Sequence, residues 1–215
     1  MPAPLSMIRG RPAIFRGIRS EAQRTIRMPQ HHILTVGISL LTNFARERKL
    51  TVDDALKQHK AMADFLRADP RKASAELNSL DSRTGFLNKP KPDLAVTLVF
   101  TTTGMGKSAA SLLEKELKFR KVTVHRLPVR GFDAPARDCT PEFAARESTA
   151  ALTDLRQRVM EHVARLQKAT PMPQIELNCT GGYKAECAVL YELGRALRLP
   201  IYYLHETFQV AVELP

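Results

Sequence analysis

The sequence predicts an α/β fold: a Rossmann-like, doubly wound, mostly parallel sheet with helices on both faces. Three observations predict it. Strand-like and helix-like periods alternate at short intervals from about residue 30 onward. The stretch 94–100 (LAVTLVF) is a continuous run, apolar but for Thr97, the mark of a strand buried on both faces. Glycine and small hydroxyl residues follow three of the strand-like runs, where strand-to-helix turns belong.

Taken in order, 32–36 (HILTV) is a short β-rich run ended by Gly37. Thr42 and Asn43 lead into a polar helical region, and Asp53 and Asp54 open a further helix to about Leu66. Residues 72–80 read as helix and 83–93 as a loop holding Gly85, Pro90 and Pro92. The strand at 94–100 is followed by Gly104 and Gly106, then by a helix with Ala109, Leu112, Leu113 and Leu117 on one side. Val122, Val124 and Leu127 alternate as a strand, and 129–141 is a loop. Leu152, Leu155, Val159, Val163 and Leu166 form a helical stripe. Ile175 and Leu177 mark a strand broken at Thr180-Gly181-Gly182. A helix follows with Cys187, Leu190, Leu193 and Leu197 inward, ended by Pro200. The run 201–204 is a strand, and Phe208, Val210 and Val212 alternate in a last one.

Composition narrows the class. The chain has 215 residues, 44% of them hydrophobic and 26% charged, which fits a globular domain and excludes wholesale disorder. A chain of this length buries roughly 70% of its unfolded surface and needs no disulfide or metal to fold. The three cysteines, Cys139, Cys179 and Cys187, form no C-x-x-C pair, which argues against a disulfide framework or a four-cysteine zinc site and for a reducing, cytoplasmic setting. No apolar run approaches the ~18 residues of a membrane span. The formal charge is +11, and basic proteins concentrate anions. Part of the excess sits at 1–28, where six arginines face one glutamate. That segment reads as a basic disordered arm or an early start assignment with Met28 as the true one, leaving 29–215 as a single domain.

In open α/β sheets ligands bind beyond the carboxyl ends of the strands. Three such ends are candidates. The first holds Gly37, Ile38, Ser39, Leu40, Thr42 and Asn43; the second Thr102, Thr103, Gly104, Lys107 and Ser108; the third Thr180, Gly181, Gly182, Tyr183 and Lys184. Glycine lets a backbone approach a ligand closely, and helix N-termini offer free N–H groups to anions. Lys107 and Lys184 add charge, so the three loops together point to a phosphate-bearing ligand. Any one glycine can serve only its turn, and Thr42, Asn43 and Ser108 can serve only as caps. Gly106-Lys107-Ser108 ends like a Walker A loop, but Thr101 stands where that motif needs glycine. No G-x-G-x-x-G occurs, and the six histidines lack ligand spacing, so no metal or dinucleotide cofactor is expected.

The stretches TVGISLLTN (35–43), SAELNSL (74–80), NCTGGYKAE (178–186) and LPIYYLHE (199–206) together resemble the CARF domain of type III CRISPR systems, in the ancillary group that includes Csm-type ribonucleases. The resemblance runs over 30–215. It implies a homodimer that binds cyclic oligoadenylate, a ring of 3′–5′ linked adenylates. A symmetric ring suits a symmetric pair. Effector domains of this group carry an Arg-x4–6-His motif. Arg120 to His125 and Arg156 to His162 have that spacing, but they fall on a strand and on an amphipathic helix of the sheet domain, so no effector is expected within the chain. The resemblance then implies a stand-alone ring nuclease. In it the ribose 2′-OH attacks the adjacent phosphate without a metal, Lys184 stabilises the phosphorane, and Ser39 orients the 2′-OH or the phosphate. Lys184 could also serve only to grip phosphate. The alternative is a non-catalytic sensor acting through a separate effector. A duplex-binding regulator, suggested by the basic arm, ranks last for want of a recognition helix. Cyclic tetra-adenylate is preferred to the hexa-adenylate because the loops are short.

Overall fold

The computed structural model describes residues 28–131, 140–205 and 207–215. The basic arm up to residue 27, Cys139 and Glu206 lie outside the described residues. Among the described residues six strands form one sheet: β1 (Gln30–Thr35), β2 (Leu94–Thr101), β3 (Thr123–Val129), β4 (Gln174–Asn178), β5 (Ile201–His205) and β6 (Val210–Leu214). Their order is β3-β2-β1-β4-β5-β6, parallel throughout except for the antiparallel β5–β6 edge pair. The fold is therefore the mixed, mostly parallel α/β architecture that the alternating pattern predicts.

The helices are α1 (Ser39–Arg48), α2 (Val52–Leu56), α3 (His59–Ala68), α4 (Pro70–Ala73), α5 (Ala75–Thr84), α6 (Gly104–Phe119), α7 (Pro141–Gln167) and α8 (Lys184–Leu197). Strand alternation splits their packing into two cores. Leu34, Val96, Leu98 and Phe100 pack with α1, α3, α5 and α6 on one face. Ile33, Val99, Leu127, Ile175 and Leu177 pack with α7 and α8 on the other. Neighbours in sequence thus serve opposite layers, which is why β2 reads as a nearly continuous apolar run.

Four helical readings change. The helix expected to run to Leu66 is two, α2 and α3, because Thr51 caps the first by accepting the Asp54 N–H at 3.1 Å and the turn at Lys57 and Gln58 restarts the chain. The helix at 72–80 is also two. Ser74 is extended (φ −136°, ψ 125°) and caps α5, accepting the Leu77 N–H at 3.2 Å. The first helix starts at Ser39, ahead of Thr42. Helix α7 starts eleven residues before its apolar stripe, at Pro141, behind the Thr140 cap on the Phe143 N–H. Its buried residues are Leu155, Val159, His162 and Val163. The opening turns hold no buried residue and so carry no apolar period. At the carboxyl end, Phe208 is 70% exposed and sits in the turn before β6.

Strand order sets where a ligand can enter. From β1 the chain winds outward through β2 to β3, then returns across the sheet to β4 on the other side of β1. The connections leaving β1 and β4 diverge to opposite faces, so the switch point lies between their carboxyl ends.

Candidate functional site

A cleft of ≈ 250 Å³ opens at that switch point. Gly37, Ile38, Ser39 and Thr42 line it from the first loop, and Thr180, Gly181, Gly182 and Tyr183 from the third. Ala75 and Glu76, at the start of α5, close it from below. The first and third loops touch through backbone. A Cβ on Gly37 would sit 2.7 Å from the Gly182 nitrogen, and one on Gly181 would meet the Thr35 carbonyl at 2.5 Å and the Glu76 side chain at 2.6 Å. Glycine is needed here for the two loops to approach each other. Gly182 also has φ +91°, which favours glycine.

Glu76 organises the contact. It is 1% exposed. Its Oε1 accepts the Gly37 N–H at 2.8 Å, and its Oε2 accepts the Ser39 and Ser74 hydroxyls at 2.6 and 2.7 Å. Ser39 Oγ in turn accepts the Ala75 N–H at 3.2 Å. The break at Ser74 makes this possible, because it aims the first turn of α5 at the ends of the strands. On the other side Asn178, fully buried, accepts the Thr180 N–H at 3.0 Å and donates to Ser79 Oγ at 2.5 Å. Thr180 Oγ1 accepts the Leu204 N–H at 2.9 Å. The Gly181 carbonyl accepts from the Thr35 hydroxyl and, at 3.2 Å, from the Cys187 thiol.

Lys184 is the first residue of α8. It is exposed beside the cleft and, among the described residues, its ammonium pairs with no acid. Tyr183, 62% exposed, stands at the mouth. Glu186 accepts the Tyr183 N–H at 2.9 Å, and burial raises its carboxyl above the usual range. Neither nearby thiol is poised as a nucleophile. Burial, then Cys187, pushes the Cys179 thiol up to about 12, and burial raises Cys187 as well.

The remaining expected site residues lie elsewhere. Leu40 is 1% exposed and packs in the core, because the helical period from Ser39 turns it inward with Leu41 and Phe44. Asn43 donates to the carbonyls of Lys72 and Ala73, tying α1 to α4. No residue of the second loop lines the cleft. Thr103 caps α6 by accepting the Gly106 N–H at 3.0 Å, and Ser108 turns to His59. Thr102, Gly104 and Lys107 are exposed on that loop. Of the two Arg-to-His spacings, the second does not form a pair: Arg156 meets Glu192 at 2.6 Å while His162 turns inward to Thr97 at 2.7 Å, so the two point apart. Among the described residues no group of three or more His, Cys, Asp or Glu is placed to hold a metal ion, and no helix is long and apolar enough to cross a membrane.

Sheet order, switch point and cleft define the class: a doubly wound, Rossmann-like α/β domain whose open site lies between the ends of β1 and β4. The family model described as CRISPR-associated protein (Cas_APE2256) matches residues 71–215, and the chain belongs to that family. No curated protein matches the chain in sequence. Among solved structures it is similar to Can2 from Sulfobacillus thermosulfidooxidans in complex with cyclic tetra-adenylate (12% identity, TM-score 0.45, 86% of this chain and 34% of that one). It is also similar to protein VC1899 from Vibrio cholerae (10%, 0.41, 86% and 33%). A third is Enterococcus italicus Csm6 bound to cyclic hexa-2′-fluoro-hexa-dAMP (9%, 0.39, 82% and 33%). The chain spans about a third of the length of these structures.

Proposed function

We propose that the chain is a CARF domain that binds cyclic oligoadenylate, with cyclic tetra-adenylate the preferred ring, between two copies of itself, and that it cleaves the ring without a metal. The observation that carries this is the switch-point cleft, where Ser39 and Lys184, unpaired among the described residues, open α1 and α8 on either side of touching glycine loops. A net charge of +11 and membership of a CRISPR-associated family support an anionic nucleotide ligand. A space of ≈ 250 Å³ takes a fragment of a tetranucleotide ring rather than the whole. Two clefts related by a dyad would each hold half of it, which is the reason for a homodimer.

In the proposed reaction a ribose 2′-oxygen attacks the adjacent phosphorus, the bond from phosphorus to the 5′-oxygen breaks, and the proton lost at one oxygen is regained at the other. The product ends in a 2′,3′-cyclic phosphate and a 5′-hydroxyl. The protein holds the 2′-oxygen in line through Ser39 and offers Lys184 to the charge on the phosphorane. Protein incubated with cyclic tetra-adenylate in EDTA should yield linear species ending in a cyclic phosphate, read by mass analysis. Lys184→Ala should slow this roughly 10- to 1,000-fold. A ring that binds but stays intact with excess protein would overturn cleavage and leave a sensor. A ring that does not bind would overturn the whole reading.

A further inference from the structure

We propose that Glu76 is a positioning residue that fixes the Ser39 hydroxyl as a hydrogen-bond acceptor toward the cleft, so that the site selects rings carrying a free ribose 2′-OH. This deepens the reading of the cleft as an adenylate-ring site and rests on it. Hydrogen-bond polarity decides the matter, because a carboxylate has no proton to give. Both hydroxyls that meet Glu76 Oε2, from Ser39 at 2.6 Å and Ser74 at 2.7 Å, therefore spend their only proton on it. Oε1 is held by the Gly37 N–H at 2.8 Å, which fixes the rotation of the group. Ser39 Oγ then has two lone pairs, and the Ala75 N–H takes one at 3.2 Å. The other remains for the cleft that Ser39 lines.

Ser39 cannot donate to a phosphate oxygen without leaving a nearly inaccessible carboxylate short of a donor, a loss of the costly kind. It can accept from a hydroxyl, and the 2′-OH is the sugar hydroxyl that a 3′–5′ linked ring offers. Of the two roles open to Ser39, orienting the 2′-OH or holding phosphate, the geometry selects the first. Phosphate is left to Lys184.

Glu76→Gln tests this with almost no change of shape. Its oxygen can stay on the Gly37 N–H, while its NH₂ faces Ser39 and Ser74 and reverses both hydroxyls. Ser39 then donates into the cleft. The readout is the ratio of affinities for cyclic tetra-adenylate and its 2′-O-methyl analogue, measured on ice before turnover. The methyl ether accepts but cannot donate, and its bulk is the same for every variant. The wild type should prefer the free hydroxyl by about tenfold or more. Glu76→Gln and Ser39→Ala should each lower that ratio by at least about fivefold. Glu76→Asp, whose carboxylate falls a methylene short of Ser39, should move it in the same direction and serves if the glutamine variant does not fold. Binding of both rings with the wild-type ratio retained in the Glu76 variants would overturn this inference alone. Failure of the wild type to bind either ring would overturn it together with the reading on which it rests.

Discussion

Acid should destabilise this domain before its carboxylates titrate, because burial holds three histidines below their ordinary pKa. His31 and His32 are 2% and 1% exposed and His162 is 8% exposed. Burial, then the neighbouring His125, His162 and His32, lowers His31 from 6.5 to about 3. Burial and Arg83 lower His32 to about 4, and burial, Arg165 and His125 lower His162 to about 4. Thr97 Oγ1 lies 2.7 Å from Nε2 of both His31 and His162, an arrangement that suits neutral rings because one can donate and the other accept. A base whose folded pKa is depressed gives full stability above its unfolded value. It loses that stability as pH falls toward the folded one, because the unfolded chain binds the extra proton. One proton is worth about 1.4 kcal/mol per pH unit. Integrated from pH 6.5 to 5, each histidine costs about 1.6 kcal/mol and the three together about 5 kcal/mol, an upper bound because the fold can relax around a buried charge. That is comparable with the whole stability of a domain, about 5–15 kcal/mol. Urea titrations followed by far-UV circular dichroism from pH 7.5 to 5 give the slope directly. It should approach about 4 kcal/mol per unit near pH 5.5 and fall by about a third in His162→Gln, which keeps a polar group toward Thr97. A slope below that of a single proton over this window would mean that the three rings are not neutral by burial.

Gly181→Ala should cost about 1–3 kcal/mol of stability, because its Cβ would meet backbone at Thr35 and the buried Glu76. It should also abolish ring binding by prising the first loop from the third, as melting and isothermal titration would show. Thr103→Ala should cost about 1 kcal/mol through loss of the α6 cap while leaving ring binding within twofold, a separation that checks the placement of the second loop outside the cleft. Leu77→Ala, at a fully buried position on α5, should cost about 2–5 kcal/mol in denaturant unfolding.

How much of this is legible in the sequence depends on range. Strand readings succeed where burial is local and strong, as in β2, whose residues face two cores at once. The opening turns of α7 are illegible by periodicity because exposure leaves no stripe, although Thr140 and Pro141 are a start signal. The loop chemistry is legible, but its selection is not. The first, second and third loops share glycines and hydroxyls, yet only β1 and β4 have connections that diverge, and strand order cannot be read from one sequence. Leu40 is misplaced when a helical turn is taken for a loop; the spacing of Leu40, Leu41 and Phe44 already marks an inward face.

Glu76 shows the limit most clearly. Its partners Gly37 and Ser39 lie 39 and 37 residues away, so no local pattern joins them. A carboxylate beside an anion site would ordinarily count against that site, and by charge alone it does. Its charge is instead met at close range by three donors, the Gly37 N–H and the Ser39 and Ser74 hydroxyls, of which Gly37 and Ser39 line the cleft. What the cleft presents is then set by what Glu76 has taken from it. The Gly37 amide is no longer available to phosphate, and the Ser39 hydroxyl has become an acceptor. Under the proposed function phosphate would then fall to Lys184, at the start of α8, and ribose to Ser39, at the start of α1. An in-line attack by a sugar oxygen on its own phosphate would require such a division of the protein proposed to hold it.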